Sequence, residues 1–193
     1  MLYLTFRVIL RLIFRLFLRL KVEGMENIPS QGSVVLCANH ISNLDPPLLG
    51  TPLDRRVHYM AKEELFRIPL FGSMIRQLGA FPVKRGGVSK ESIRSALQLL
   101  DEGKILGIFP QGSRKNTSGI GKKGAALLAL RSDAVVIPVG IVGPYGLFRQ
   151  MTLRFGMPVD LSEFRNSESD QLEAATAKIM SSIEQQLKCS QHK

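Results

Sequence analysis

His40 and Asp45 are the residues of this chain whose types and spacing are best suited to chemistry. Four residues separate them in the stretch Asn39–Asp45, and two prolines follow the aspartate. A carboxylate that pairs with an imidazole fixes the ring tautomer and stabilises the imidazolium that forms when the ring takes up a proton. The pair therefore predicts an enzyme in which His40 is a general base that activates a hydroxyl group or a water molecule.

Two further loops combine cationic side chains with glycine. They are Lys84–Gly87 and Phe109–Lys115. Glycine lets the backbone approach an anion closely, and the arginine guanidinium offers a planar fork of donors that suits phosphate. Either loop alone is more typical of a solvated turn. If both lie beside the His40–Asp45 pair, at the same edge of one sheet, they indicate a substrate that carries a phosphate.

Strands and helices alternate along the segments that must position these loops. Ser33–Ala38 is a short continuous apolar run that ends just before His40, as expected of a buried strand. The predicted strands are 33–38, 56–60, 80–83, 105–109, 135–139 and 151–155, and the predicted helices are 69–78, 89–102, 122–130 and 167–187. This alternation predicts a single α/β domain in which helices flank a mostly parallel or mixed sheet. In open α/β sheets, ligands bind at the carboxyl ends of the strands, where His40 would lie.

Several local features carry predictions of their own. Asp45 precedes two prolines that suit the first turn of a helix, so it is also a candidate N-cap. Pro138 predicts that the strand 135–139 lies at a sheet edge or contains a bulge. The glycines and proline of Lys21–Gly32 indicate a connection. Cys37 and Cys189 are far apart in sequence, which suggests neither a disulfide framework nor a metal cluster and fits a reducing cytosolic setting.

The first residues of the chain are predicted to form a basic amphipathic helix. Residues 1–21 hold five positive charges and no acidic residue, and four arginines recur every fourth residue from Arg7 to Arg19. On a helix these arginines occupy an arc of roughly 120°, and the rest of the surface is apolar. Such a helix is typical of a segment that lies in the interface of an anionic membrane. We divide the chain into a membrane-interface helix, 1–22, and a catalytic domain, 23–193.

Two alternatives for this helix are insertion across the membrane and burial against the protein's own domain. No apolar run between the arginines exceeds three residues. Each arginine near the bilayer centre costs about 2.5–3.5 kcal/mol, so a transmembrane orientation is disfavoured. Nucleic-acid binding is also disfavoured as an explanation of the net charge of +10, because leucine and phenylalanine alternate with these arginines.

Four motifs, in order along residues 32–140, carry a resemblance to a known family. The matching residues are Asn39, His40 and Asp45 in the first motif, Gly79, Phe81 and Arg85 in the second, 109–114 in the third, and 136–139 in the fourth. In these motifs the chain resembles the glycerolipid acyltransferases, and in particular those that acylate 1-acylglycerol-3-phosphate.

The resemblance implies transfer of a fatty acyl group to the sn-2 hydroxyl of lysophosphatidic acid, giving phosphatidic acid. The donor would be an acyl thioester, either acyl-CoA or acylated acyl carrier protein, and neither a metal nor another cofactor would be needed. The protein would act as a peripheral or monotopic enzyme at the cytoplasmic face of the cell membrane. His40 and Asp45 would be catalytic, and the substrate-binding residues would be Asn39, Lys84, Arg85, Gln111, Gly112, Ser113 and Arg114.

Gln111 departs from the family pattern, which usually has glutamate at this position. Glutamine keeps the length of the side chain and can form hydrogen bonds, but it lacks the negative charge. The substitution supports an alternative hypothesis, in which an acyltransferase of the same fold acts on another lysolipid acceptor. A catalytically weak membrane-binding homologue and a thioester hydrolase are further alternatives.

Overall fold

A seven-stranded sheet organises the chain. The computed structural model describes residues 2–83, 90–112, 123–165 and 169–188. The strands and α-helices in these ranges are α1 Leu2–Phe17, β1 Lys21–Glu23, β2 Val34–Ala38, α2 Asp45–Gly50, β3 Val57–Lys62, α3 Phe71–Gln77, β4 Ala80–Val83, α4 Lys90–Asp101, β5 Ile105–Ile108, α5 Gly124–Leu130, β6 Val135–Val142, β7 Thr152–Phe155 and α6 Ser169–Lys188.

The strand order is β1-β7-β6-β2-β5-β3-β4, and β2 lies in the middle of the sheet. Strands β6 and β7 are antiparallel, and the other neighbouring pairs are parallel. Since β2 pairs in parallel with both β5 and β6, these three strands end at the same edge of the sheet. The prediction of a single α/β domain with a mixed sheet is confirmed.

Helices cover both faces of the sheet, which explains the continuous apolar runs of its central strands. Val34, Leu36 and Ala38 of β2 face one apolar core, to which α1 and α2 contribute. Val35 and Cys37 face a second core, to which α4, α5 and α6 contribute. Burial raises the pKa of the Cys37 thiol to about 12, as expected of a small residue inside the core.

The prediction that Pro138 marks an edge strand or a bulge is wrong, because β6 pairs in regular register with β2 on one side and with β7 on the other. The ladder with β7 begins only at the pair Val139 and Phe155. Pro138 therefore lies just beyond the end of β7, and its carbonyl accepts a hydrogen bond from the N–H of Gly156 at 2.8 Å. An interior strand accommodates this proline because no ladder bond on that side requires its missing N–H.

The prediction that Lys21–Gly32 is only a connection is also wrong. Its first three residues form β1, which pairs in parallel with β7 at the sheet edge. Glu23 accepts a hydrogen bond from Arg154 of β7 at 2.7 Å, which stabilises the pairing. A strand of three residues that includes two charged ones has no apolar pattern from which it could be recognised.

Helix α1 packs against the domain through the side that carries Arg7, Arg11 and Phe14. Arg7 donates to the carbonyls of Leu53 and Asp54, and Arg11 donates to that of Pro52. The ring of Phe14 is only 3 % exposed and belongs to the first core. None of the described helices has both the length and the apolar composition needed to cross a bilayer. Helix and domain therefore form one packed unit, and the division of the chain at residue 22 stays a prediction.

Candidate active site

The candidate active site lies where β6, β2 and β5 end side by side. Asn39 and His40 follow β2, the turn 109–112 follows β5, and Tyr145 lies in the segment after β6. Parallel pairing of neighbouring strands brings these three segments to one edge of the sheet.

His40 and Asp45 form the pair that their spacing predicts. Nδ1 of His40 lies 2.7 Å from Oδ2 of Asp45. The Asp45 side chain is 0 % exposed, whereas that of His40 is 20 % exposed. Because an ionised carboxylate only accepts hydrogen bonds, the proton of the neutral ring is placed on Nδ1, and Nε2 is left as the basic atom. The arrangement is that of a general base with its orienting carboxylate.

Asp45 accepts hydrogen bonds from three further donors. The backbone N–H groups of Ile41 and Ser42 donate to Oδ2 at 2.6 and 2.7 Å. The hydroxyl of Tyr145 donates to Oδ1 at 2.6 Å. These donors hold a buried carboxylate in one orientation.

The interpretation of Asp45 as an N-cap is wrong. Leu44 occupies the N-cap position of α2, and no side chain caps that helix end. The Asp45 carboxylate turns back to the backbone amides of Ile41 and Ser42, which precede it in the chain, and so it orders the loop that carries His40. A capping side chain would instead accept from amides that follow it.

The turn after β5 packs directly against His40. The ring of Phe109 stacks on the imidazole, with 4.4 Å between the ring centroids. The side-chain oxygen of Gln111 accepts the backbone N–H of His40 at 2.8 Å. The side-chain oxygen of Gln111, the residue that departs from the family pattern, is therefore bound to the loop that carries His40.

Gly112 closes this turn with a left-handed backbone. Its φ is 69°, and its N–H donates to the carbonyl of Phe109 at 2.9 Å. Side chains other than glycine rarely adopt this conformation, so the turn that presents Gln111 depends on a glycine here. A direct contact of Gly112 with substrate stays a prediction.

Asn39 lies beneath the site and bridges two strands. It is buried, its side-chain N–H donates to the carbonyl of Ile141 at 2.9 Å, and its side-chain oxygen accepts the Ile141 N–H at 2.7 Å. The side-chain N–H and the side-chain oxygen of Asn39 thus both bind the backbone of β6. These two bonds fix the carboxyl end of β2 to the neighbouring strand. The predicted contact of Asn39 with substrate remains a prediction, and positioning is the role that its described contacts support.

The structure describes only part of the predicted substrate site. Lys84, Arg85, Ser113 and Arg114 lie outside the described residues, as does Lys115. Their predicted roles in holding a phosphate therefore stay predictions. Within the described ranges, no group of three or more histidine, cysteine, aspartate or glutamate side chains could hold a metal ion.

Tyr145 is the site residue that the sequence did not reveal. It lies 100 positions beyond Asp45 in the chain, and its hydroxyl reaches the carboxylate only because β6 lies next to β2. Burial, and after it the hydrogen bond to Asp45, raises the pKa of the Tyr145 hydroxyl, so the hydroxyl is a donor at neutral pH. The signal in the sequence was a tyrosine just after a strand that ends at the same sheet edge as β2.

Comparisons with known proteins agree with the geometry. The family model described as "Acyltransferase" matches residues 19–142. The chain is 35 % identical over 161 residues to a 1-acyl-sn-glycerol-3-phosphate acyltransferase from Bacillus subtilis (strain 168), covering 80 % of this chain and 81 % of that one. It is 30 % identical over 170 residues to an enzyme of the same name from Streptococcus pneumoniae, covering 84 % of this chain and 64 % of the relative.

A solved structure is similar over nearly the whole chain. It is that of the 1-acyl-sn-glycerophosphate (LPA) acyltransferase PlsC from Thermotoga maritima. The TM-score is 0.76 at 27 % sequence identity, and the match covers 99 % of this chain and 80 % of that one.

Proposed function

The chain belongs to the acyltransferase family, and from that premise we propose that it acylates the sn-2 hydroxyl of 1-acylglycerol-3-phosphate to give phosphatidic acid. The observation that carries the proposal is the His40–Asp45 pair, in which a fully buried carboxylate orients a partly exposed imidazole. The names of the similar proteins support the choice of acceptor.

The pair suits direct transfer between two substrates. Nε2 of His40 takes the proton of the acceptor hydroxyl while the hydroxyl oxygen attacks the carbonyl carbon of the acyl thioester. The tetrahedral intermediate collapses, the carbon–sulfur bond breaks, and the imidazolium returns the proton to the leaving thiolate. Asp45 stabilises the imidazolium between these two steps. The new ester bond forms without a covalent enzyme intermediate.

We assign the acceptor phosphate to the cationic loops. Arg85 and Arg114, assisted by Lys84 and Lys115, would provide the planar donors and positive charge that a phosphate monoester requires. The carboxyl ends of β4 and β5, from which these loops continue, lie at the same edge of the sheet as His40. The donor would be acyl-CoA or acylated acyl carrier protein.

A membrane surface is the partner that fits the outer side of α1. The proposed membrane face consists of the exposed apolar side chains Leu4, Val8, Ile9, Leu12, Ile13, Leu16, Phe17, Leu147 and Phe148. The N–H of Phe148 donates to the carbonyl of Phe17 at 2.6 Å, and their ring centroids are 6.1 Å apart, so the helix and the segment after β6 share this face. Tyr145, which donates to Asp45, lies in the same segment, and this supports a membrane face close to the His40–Asp45 pair.

This arrangement suits a peripheral enzyme whose substrate and product are lipids. Moving a lipid chain fully into water costs about 0.8 kcal/mol for each CH₂ group. An enzyme that rests on the bilayer avoids that cost. Because the net charge is +10, we propose that the protein associates with anionic membranes, at the cytoplasmic face of the cell membrane.

The proposed function is tested by product analysis. Purified protein is incubated with anionic vesicles that contain lysophosphatidic acid, with isotope-labelled acyl-CoA or acylated acyl carrier protein, and the lipids are identified by mass spectrometry. We expect labelled phosphatidic acid. A panel of other lysolipids is tested in parallel, because glutamine in place of the usual glutamate at position 111 is also compatible with a different acceptor. A product from another lysolipid alone would replace the proposed acceptor, and release of free fatty acid alone would indicate a thioester hydrolase.

A further inference from the structure

The carboxylate of Asp45 has its two oxygens in different surroundings. Oδ2 accepts hydrogen bonds from Nδ1 of His40 and from the backbone N–H groups of Ile41 and Ser42, all in its own loop. The described donor to Oδ1 is the Tyr145 hydroxyl, from a distant part of the chain. Because Asp45 is 0 % exposed, water does not readily replace a lost donor, and a buried carboxylate oxygen without a donor is costly.

The Tyr145 side chain is held firmly where it donates. It is partly buried and packs against the first core, and its segment is bound to the end of α1 through the Phe148 N–H and through the bond from the Met151 N–H to the Leu18 carbonyl at 3.0 Å. These two bonds hold the segment on the C-terminal side of the tyrosine, and on its N-terminal side the segment continues from β6, whose last residue Val142 pairs with Thr152 of β7. A hydroxyl fixed in this way can define the plane of the carboxylate that it binds.

We propose that Tyr145 is a positioning residue of the catalytic pair. By donating to Oδ1, it fixes the rotation of the Asp45 carboxylate so that Oδ2 faces Nδ1 of His40. The order of contacts is Tyr145, Asp45, His40 and then the acceptor hydroxyl, and Tyr145 acts through Asp45 without touching the substrate. This inference rests on the proposed function of the His40–Asp45 pair.

Packing alone is the competing explanation, because the Tyr145 ring also contributes to the core. Tyr145→Phe separates the two roles, since it keeps the ring and removes only the hydroxyl. We expect kcat to fall about tenfold, as when an outer partner that orients a reactive group is lost, while KM for the acceptor stays nearly constant. Tyr59→Phe is the matched control, because it removes a tyrosine hydroxyl from the core and is expected to leave kcat unchanged.

A spectroscopic measurement tests the same contact without turnover. The Nδ1 proton of His40, bound to the buried Asp45 carboxylate, is expected at low field in the ¹H spectrum of ¹⁵N-labelled protein. In Tyr145→Phe this resonance should shift, because the carboxylate that accepts it has lost a donor. In Tyr59→Phe it should not. This measurement remains informative if the wild-type protein acylates no lysolipid, so failure of the inference is distinguishable from failure of the proposed function.

A double-mutant cycle completes the test. In an Asp45→Asn background, Tyr145→Phe should cause no further loss of kcat, because both changes interrupt one chain of contacts. The proposal is overturned if Tyr145→Phe leaves kcat or the His40 resonance unchanged, or if its full effect persists in the Asp45→Asn background. Urea unfolding of each variant identifies losses that come from stability alone.

Discussion

At the scale of single residues, the proposed mechanism depends on the Nε2 atom of His40. We predict that His40→Ala lowers the rate of acyl transfer by about 10²–10⁴-fold, the usual contribution of a general base. The rate is measured with purified enzyme on vesicles that contain the acceptor lipid. Vesicle binding should be retained, since His40 is not part of the proposed membrane face. Near-normal transfer by this variant would remove His40 from the mechanism.

Gln111 allows a sharper test of how the site holds its acceptor. Gln111→Glu preserves the oxygen that accepts the His40 N–H, so the catalytic loop should keep its conformation. Because Gln111 is predicted to contact the acceptor, we expect the added charge to change KM for the acceptor more than kcat. Steady-state kinetics with several lysolipids measures this. An unaltered acceptor profile would show that the charge at this position does not affect acceptor binding.

The residue scale also shows what the sequence could and could not predict. His40 and Asp45 were recognisable because only four residues separate them and both are types that carry out acid–base chemistry. The roles of Asn39 and Tyr145 depend on contacts with partners about 100 residues away. No local pattern encodes such a contact, because it arises only when β6 pairs with β2.

At the scale of elements, apolar runs and helix periods located most of the fold. Strand β4 was predicted at its observed bounds, and β2, β5 and α4 within one or two residues. The errors at β1 and Pro138 have a common cause. Both depend on where β7 begins and ends, and that is a property of pairing between distant segments.

The structure changes the interpretation of α1 more than that of any other described element. The sequence predicted a helix at the membrane interface, and in the structure Phe14 of this helix belongs to the core of the domain. We predict that Phe14→Ala lowers the free energy of unfolding by about 3–5 kcal/mol, the usual cost of removing a buried phenylalanine ring. Urea denaturation measures the difference. Leu12→Ala is the matched control on the same helix, because Leu12 is 54 % exposed and should cost far less. Equal losses for the two variants would mean that α1 does not pack as described.

The outer side of the same helix should determine membrane affinity. We predict that the combined change Leu12→Ser and Leu16→Ser weakens binding to anionic vesicles by about tenfold for each leucine, since buried leucine contributes more than 1.4 kcal/mol. Stability should change little, because both side chains are exposed. Vesicle sedimentation measures the affinity. Met157→Ser, which changes an exposed apolar residue beyond the end of β7, serves as the control, and an equal effect there would contradict the proposed face.

At the scale of the whole molecule, we propose that one sheet edge carries the chemistry and that the adjoining apolar face meets the lipid. The net charge of +10 and the alternation of strands and helices predicted an α/β protein with an affinity for anions. The direction in which α1 faces could not be predicted, because the same arginine stripe suits lipid headgroups and backbone carbonyls alike. In the structure Arg7 and Arg11 bind the carbonyls of residues 52–54, which leaves the apolar side facing outward.

The packing of α1 against the domain has a thermodynamic consequence for membrane binding. A free amphipathic peptide of this length is largely unfolded in water, and its coil-to-helix transition on a bilayer consumes part of the binding energy. Helix α1 is already folded on the domain through Arg7, Arg11 and Phe14, so this ordering entropy is lost during protein folding rather than during adsorption. We therefore expect the far-ultraviolet circular dichroism to remain constant when vesicles are added. A rise in helical signal would show that α1 folds only at the bilayer.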